Sequence, residues 1–127
     1  MKRVIYILGI FLLSTSVYAT VTLQSIQGNF EVTSDLQPGI VNRLAIEGNQ
    51  VTLIESAAEG DLSCSGTCEV MDNMVVSNLR CENDTHWTQK IDFAGVDVAQ
   101  DRFVAIVMSS LFAYMEIPMT FTRVQKV

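Results

Sequence analysis

The chain has 127 residues, which is enough for one domain with a single hydrophobic core. Its formal net charge is −6, from 8 basic and 14 acidic residues, and this excess of acid argues against nucleic-acid binding because phosphates are bound by basic side chains. The same excess disfavours anionic membrane surfaces and favours basic or neutral partners.

The segment 1–19 has the features of a secretory signal peptide. Lys2 and Arg3 precede the apolar run "VIYILGIFLL", and "STSVYA" ends in the small residues that a signal peptidase accepts, so we expect cleavage after Ala19. The apolar run is about half of the ~20 residues that a spanning helix needs, and we expect no membrane span in the mature chain. The mature chain, 20–127, would be a single exported domain, periplasmic or extracellular. It would keep 6 of the 8 basic residues and all 14 acids, which is a net charge of −8.

Strand signals dominate the first half of the mature sequence. "TVTLQSIQGNFEV" reads as a first strand in which Gly28 permits a bend or a bulge. "NRLAIEGNQVTLIES" contains two β-rich runs on either side of Gly48-Asn49, which is typical of a hairpin. "CEVMDNMVVSNLRCE" has the same form, with Asp72-Asn73 at the turn.

The second half continues in the same way. "HWTQKIDF" alternates with the period of a half-buried strand, and one face carries Trp87, Gln89, Ile91 and Phe93. In the apolar segment 102–115, periodicity does not separate a buried strand, a strand pair broken at Ser109-Ser110, and a buried helix; its β-branched and aromatic residues favour a strand. "IPMTFTRV" is a last strand with Pro118 near its beginning, where a missing hydrogen-bond donor does least harm.

These elements predict an all-β fold of about seven or eight short strands. Turn signals separate the strands and no sustained amphipathic helix interrupts them, which indicates a small antiparallel up-and-down barrel or a meander sandwich.

The combination of "QGNF" in the first strand and Phe121-Thr122-Arg123 in the last resembles the calycin plan, the small up-and-down barrels of lipocalin-like proteins. In calycins, a glycine followed two residues later by an aromatic opens the barrel, and an arginine of the last strand packs across that aromatic. The matching positions here are Gly28, Phe30 and Arg123, with phenylalanine where the family usually has tryptophan. The resemblance implies architecture more than ligand, because such barrels carry many unrelated functions.

All three cysteines and the only histidine lie within "CSGTCEVMDNMVVSNLRCENDTH", between residues 64 and 86. Their spacing is compatible with a zinc site formed by Cys64, Cys68, Cys81 and His86. Predicted export places the thiols in an oxidising compartment, however, and this favours a disulfide over a metal. We therefore expect neither a metal site nor another cofactor.

The partners in the disulfide depend on the hairpin register. Cys64 lies eight residues before Asp72 and Cys81 lies eight after Asn73, so a Cys64–Cys81 bridge fits a hairpin whose tip is Asp72-Asn73. A Cys64–Cys68 bridge across the "SGT" turn is the competitor, and a Cys68–Cys81 bridge stays open if the register slips. We expect a monomer, unless the odd cysteine joins two chains.

The sequence contains no pattern that we assign to catalysis. C-x3-C is not the C-x2-C spacing of thioredoxin-like redox sites, and no βαβ pattern precedes it. A cysteine or serine nucleophile needs a histidine within reach, and His86 stands at the start of a strand. We therefore predict that the protein is not an enzyme.

Two functions remain. As a binding module, the barrel would hold a small apolar ligand. The candidates for lining the pocket are Phe30, Met74, Phe103, Met108, Phe112, Met119 and Phe121. As a protein interaction module, such as an inhibitor or an envelope-associated factor, it would use the acidic segments "SDLQPG", "AAEGDLS" and "CENDTH" to engage a basic protein. A wide apolar lumen favours the first function, and a filled core with an acidic rim favours the second.

Overall fold

A computed structural model describes residues 20–124 as eight antiparallel strands that close into a barrel. The strands are Gly28–Thr33 (β1), Val41–Glu47 (β2), Gln50–Ala57 (β3), Gly60–Met71 (β4), Met74–Cys81 (β5), His86–Asp92 (β6), Arg102–Ser109 (β7) and Ile117–Val124 (β8). Each strand pairs with its neighbours in sequence, and β1 also pairs with β8. The predicted all-β fold is confirmed, in its barrel form. The predicted signal peptide, 1–19, lies outside the described residues.

Both predicted hairpins are present, and their turns have the expected residues at the tips. Glu47 pairs with Gln50 across Gly48-Asn49, and Met71 pairs with Met74 across Asp72-Asn73. Asp72 and Asn73 have φ values of 50° and 64°, the left-handed conformation that a two-residue type I′ turn requires at both positions. Asn and Asp tolerate this conformation better than other residues with a Cβ, so the local sequence sets the register here.

The first predicted strand begins later than the sequence pattern indicates. Gln24–Ile26 is a 3₁₀ turn, and β1 starts only at Gly28. The reason is local hydrogen bonding: the Thr22 amide donates to Ser25 Oγ at 2.9 Å, and Ser25 Oγ donates to the Thr22 carbonyl at 2.8 Å. Side chains that bond to the nearby backbone in this way compete with the strand ladder.

Only the first part of the apolar segment 102–115 is a strand. β7 ends at Ser109, whose Oγ accepts a hydrogen bond from the Leu111 amide at 3.0 Å and starts a second 3₁₀ turn, Ser110–Phe112. Ala113 and Tyr114 then adopt φ values of 55° and 57°. A strand was the wrong prediction for the part after Ser109, because a serine cap breaks the ladder there in spite of the apolar residues that follow.

One end of the barrel is filled, and we call it the closed end. Phe30, Phe93, Phe103 and Phe121 pack there with ring centroids 5.3 to 6.2 Å apart, and the Phe103 and Phe121 rings are stacked. The segment 20–27 and the loop 93–101 cover this end, and the Val21 amide donates to Asn73 Oδ1 at 2.9 Å. Aromatic packing of this density leaves no lumen at this level of the barrel.

Gly28, Phe30 and Arg123, the positions of the calycin resemblance, meet at the closed end. The Arg123 guanidinium carbon lies 4.7 Å from the Phe30 ring centroid, and the guanidinium donates to the carbonyls of Gln27 at 3.0 Å and Val98 at 2.6 Å. A Cβ on Gly28 would lie 3.2 Å from Arg123 Nη1, so a side chain at this position would crowd the guanidinium. Arg123 therefore ties the last strand to both segments that cover the closed end.

Replacing Arg123 with methionine is expected to lower the free energy of unfolding by about 2 kcal/mol, because two carbonyls lose a charged donor and the cation leaves the Phe30 ring. Arg43→Met is the matched control: Arg43 is exposed on the outside of β2, and a change of about 0.5 kcal/mol or less is expected. Urea denaturation of both variants measures the difference. Equal losses would show that Arg123 does not hold the closed end together.

No helix among residues 20–124 has the length and apolar character needed to cross a membrane.

Candidate functional site

The opposite end of the barrel, which we call the open end, contains a cavity of about 230 Å³. The loops 34–40, 58–59, 82–85 and 110–116 lie at this end, because alternate hairpins of an up-and-down barrel turn at the same end. The lining residues are Val32, Gln37, Asn42, Leu44, Leu53, Glu55, Leu62, Trp87, Gln89, Val107, Ser109, Leu111, Phe112, Ile117, Met119 and Phe121. Phe121 belongs to both the cavity wall and the phenylalanine cluster, so the cluster forms the floor of the cavity.

Strand alternation explains why the wall is mainly apolar. Successive side chains of a strand point to opposite faces, so positions two apart share the interior. Leu44, Leu53 and Val107 are buried at such positions and face the lumen from β2, β3 and β7. Closing the barrel brings these strands around one space, which is open above the phenylalanine floor.

Two polar residues are buried in this wall. Gln89 of β6 and Ser109 of β7 are directly opposite each other in the strand register, and their exposures are 8% and 7%. Ser109 Oγ accepts a hydrogen bond from the Leu111 amide. Gln89 Oε1 has no hydrogen-bond partner within residues 20–124. A buried acceptor without a partner costs about 1–3 kcal/mol, and native proteins contain few of them.

The charge of the open end is negative. Among the described residues that line the cavity, Glu55 is the only ionisable one. The four loops of the open end contain Asp35, Glu59, Glu82, Asp84 and Glu116, and neither lysine nor arginine. Arg80, at the end of β5, forms an exposed ion pair with Asp84 at 3.1 Å. Net charge of one sign around a cleft raises the local concentration of ions of the opposite sign.

Apolar side chains are exposed around the same opening. Leu36 is 68% exposed in the loop 34–40, and Leu111, Phe112, Tyr114 and Met115 are about half exposed in the loop 110–116. Lys90 Nζ lies 4.9 Å from the centroid of the Tyr114 ring. The opening is therefore both acidic and apolar.

Trp87, the only tryptophan of the chain, lines the cavity next to the disulfide. Its indole Nε1 donates to Cys81 Sγ at 3.2 Å, which orients the indole ring along the wall. An indole in the wall of a cavity changes its fluorescence when the cavity is filled, so this residue is a natural reporter of ligand entry.

The Cys64–Cys81 disulfide is confirmed. The two residues are directly opposite each other in the register of β4 and β5, and the Glu82 amide donates to the Ser63 carbonyl beside them at 3.0 Å. The competing bridges to Cys68 do not form, because Cys68 is opposite Ser77 and is a buried free thiol. Burial raises the pKa of the Cys68 thiol by desolvation, which lowers its reactivity.

The residues of the predicted metal alternative do not come together. Two of the three cysteines are joined in the disulfide, and His86 is exposed at the start of β6, opposite Arg80. Within residues 20–124, no three His, Cys, Asp or Glu side chains are grouped so that they could hold a metal ion. A second concavity, of about 490 Å³, lies along β4, β5 and β6 and includes His86 and Arg80.

The predicted lining residues fall into three groups. Phe112, Met119 and Phe121 line the cavity. Phe30 and Phe103 lie in the phenylalanine cluster below it. Met74 and Met108 are not in the wall, because the inward positions beside them are taken by Val75 and Val107.

Sequence reasoning did not single out Glu55 and Gln89 as site residues. Gln89 was on the correct face of its strand, between Trp87 and Ile91, and a glutamine in the middle of an inward face is the signal that identifies it. Glu55 follows Val51 and Leu53 with the same period of two, so it continues their inward face toward the mouth.

No protein-family model, curated protein or solved structure matches this chain.

Proposed function

We propose that this protein is an exported binding protein that holds a small, mostly apolar ligand in the open half of its barrel. The observation that carries the proposal is the cavity of about 230 Å³ with the unpartnered Gln89 Oε1 in its wall. Ligand sites are typically apolar concavities in which a few polar groups fix orientation, and this cavity has that composition.

The volume indicates the size of the ligand. Pockets for drug-sized ligands are about 300–1,000 Å³. A cavity of about 230 Å³ is smaller, and its floor is closed by the phenylalanine cluster. We therefore propose a ligand smaller than a drug-sized molecule.

The architecture supports the same function. A closed eight-stranded barrel is wide enough to hold one small ligand, and the antiparallel up-and-down closure is consistent with the calycin plan. The Cys64–Cys81 disulfide supports export to the periplasm or the extracellular space, since disulfides persist in oxidising compartments. We propose no catalytic step for the site.

The second candidate function is a protein interaction module, an inhibitor or envelope-associated factor with a basic partner. It is supported by the acids of the open-end loops, together with the exposed apolar residues Leu36 and Phe112 beside them. Electrostatic complementarity of this kind steers association more than it adds affinity. Occupation of the cavity is the measurement that separates the two candidates.

Titration with hexan-1-ol, followed by Trp87 fluorescence, is expected to show saturable binding, because Trp87 lines the cavity. Leu53→Phe enlarges a wall residue and is expected to abolish the change. Leu36→Phe is the matched control, since the same enlargement on the 68% exposed Leu36 leaves the cavity open and is expected to preserve binding. Urea denaturation of both variants confirms that they are folded.

A response that does not saturate in the parent protein, or that survives in folded Leu53→Phe, would overturn ligand binding in the lumen. The interaction module would then be the remaining candidate.

A further inference from the structure

Resting on that binding function, we propose that the ligand is a small apolar amine, bound as its ammonium ion. Gln89 and Glu55 are the residues that select it, and we argue their roles in turn.

The first step concerns the direction of the hydrogen bond. Gln89 lines the cavity, and its buried Oε1, which accepts and does not donate, has no partner within residues 20–124. Ser109, opposite Gln89, accepts from the Leu111 amide through its Oγ and makes no hydrogen bond with Gln89 Oε1. A ligand that donates a hydrogen bond satisfies Gln89 Oε1, whereas a carboxylate, which only accepts, does not.

The second step concerns charge. Glu55 is the only ionisable side chain among the described lining residues, and it continues the inward face of β3 at the mouth. The open-end loops add five acids and no lysine or arginine. Glu55 is itself exposed, and together with the loop acids it draws cations to the mouth, so this end of the barrel favours a cation over a neutral donor.

The third step concerns the body of the ligand. Leu44, Leu53 and Val107 form an apolar wall, and Trp87 and Phe112 contribute aromatic rings. The apolar wall binds aliphatic groups, and the faces of the aromatic rings attract a nearby ammonium ion. The site as a whole therefore matches a molecule with one ammonium group and a short hydrocarbon body.

The test compares three probes with the same six-carbon chain, all followed by Trp87 fluorescence at pH 7. Hexylamine is cationic there, because alkylamines have pKa values near that of lysine, about 10.4. Hexan-1-ol is a neutral donor and hexanoate is an anionic acceptor. We expect hexylamine to bind about tenfold more tightly than hexan-1-ol, a difference that one charge interaction near a protein surface supplies, and hexanoate to bind more weakly than both.

Two variants assign the selection to its residues. Glu55→Gln is expected to remove most of the preference for hexylamine over hexan-1-ol. Gln89→Met, which removes the acceptor at similar size, is expected to weaken both donors. Glu69→Gln is the control for Glu55→Gln, because Glu69 is an exposed acid on the outside of β4, toward the closed end.

The outcomes separate this inference from the function on which it rests. Equal binding of hexylamine and hexan-1-ol would overturn the amine inference and would leave lumen binding intact. Tighter binding of hexanoate would also overturn it. If none of the three probes binds, the proposed function itself fails. If Glu69→Gln removes the preference for hexylamine as fully as Glu55→Gln does, selection depends on overall charge. That outcome would overturn the role of Glu55.

Discussion

Replacing Gly66 with alanine is expected to lower the free energy of unfolding by about 3 kcal/mol, or roughly 15 °C in Tm for a domain of this size. A Cβ at this position would lie 1.8 Å from the Asn78 carbonyl oxygen and 2.9 Å from its carbonyl carbon. Both contacts are with backbone atoms of β5, so no side chain can rotate away. The strands must therefore move apart at Gly66. The paired residues Cys64 and Cys81 are only two positions away in the same ladder, so their pairing is disturbed as well.

Gly48→Ala is the matched control for this prediction. A Cβ on Gly48 would meet no atom within 4 Å, so alanine causes no clash there. The φ of 61° is nevertheless a backbone conformation that strains alanine. Strain of this kind costs about 1 kcal/mol. Gly66 is not in the left-handed region, so its expected loss is steric alone. Urea denaturation of the two variants measures both losses of stability. If Gly66→Ala loses no more stability than Gly48→Ala, β4 and β5 do not approach each other closely at Gly66.

Removing the disulfide by the double substitution Cys64→Ala and Cys81→Ala is expected to cost about 3 kcal/mol in the chain-entropy model. The bridge joins residues 17 apart, and closing that loop restricts the unfolded chain more than the folded one. Denaturant unfolding of the double variant, compared with the parent protein under oxidising conditions, gives the value. A reducing agent should lower the stability of the parent protein by a similar amount and leave the double variant unchanged.

Cys68→Ala serves as the control, since it removes the buried free thiol and keeps the bridge. We expect a loss of about 1 kcal/mol, the cost of a small core truncation. Mass spectrometry after alkylation of the denatured protein should count one free thiol before reduction and three after it, in agreement with one bridge and one free cysteine. Three free thiols without reduction would contradict the bridge. A double variant as stable as the parent protein would contradict its stabilising role.

Features determined by local chemistry could be predicted from the sequence. Gly48-Asn49 and Asp72-Asn73 are suited to tight turns whatever the rest of the chain does, because their preference for positive φ is intrinsic. Counting outward from Asp72-Asn73 was then sufficient to place Cys64 opposite Cys81. The period of two likewise placed Gln89 on the inward face of β6.

Strand parity limits what can line a cavity, and it excludes part of the predicted set. Phe103 and Met108 are an odd number of residues apart in β7, so they cannot both face the lumen. In β5, Met74 is likewise an odd number of residues from Cys81, which faces inward, so Met74 faces outward. These two methionines were predicted from their apolar character alone, and hydrophobicity does not state which face a side chain occupies.

The sequence by itself determined most of the strands and the two tight turns, and it favoured the Cys64–Cys81 bridge, because each depends on residues close together in the chain or on a fixed period. Only the tertiary structure decided that one half of the barrel is filled and the other half is hollow. Phe103 and Phe121 are opposite each other in β7 and β8, but Phe30 of β1 is far from them in sequence and meets them only when β1 closes against β8. Closure likewise puts Glu55 and Gln89 around one cavity, since volume left over inside a barrel depends on all eight strands at once.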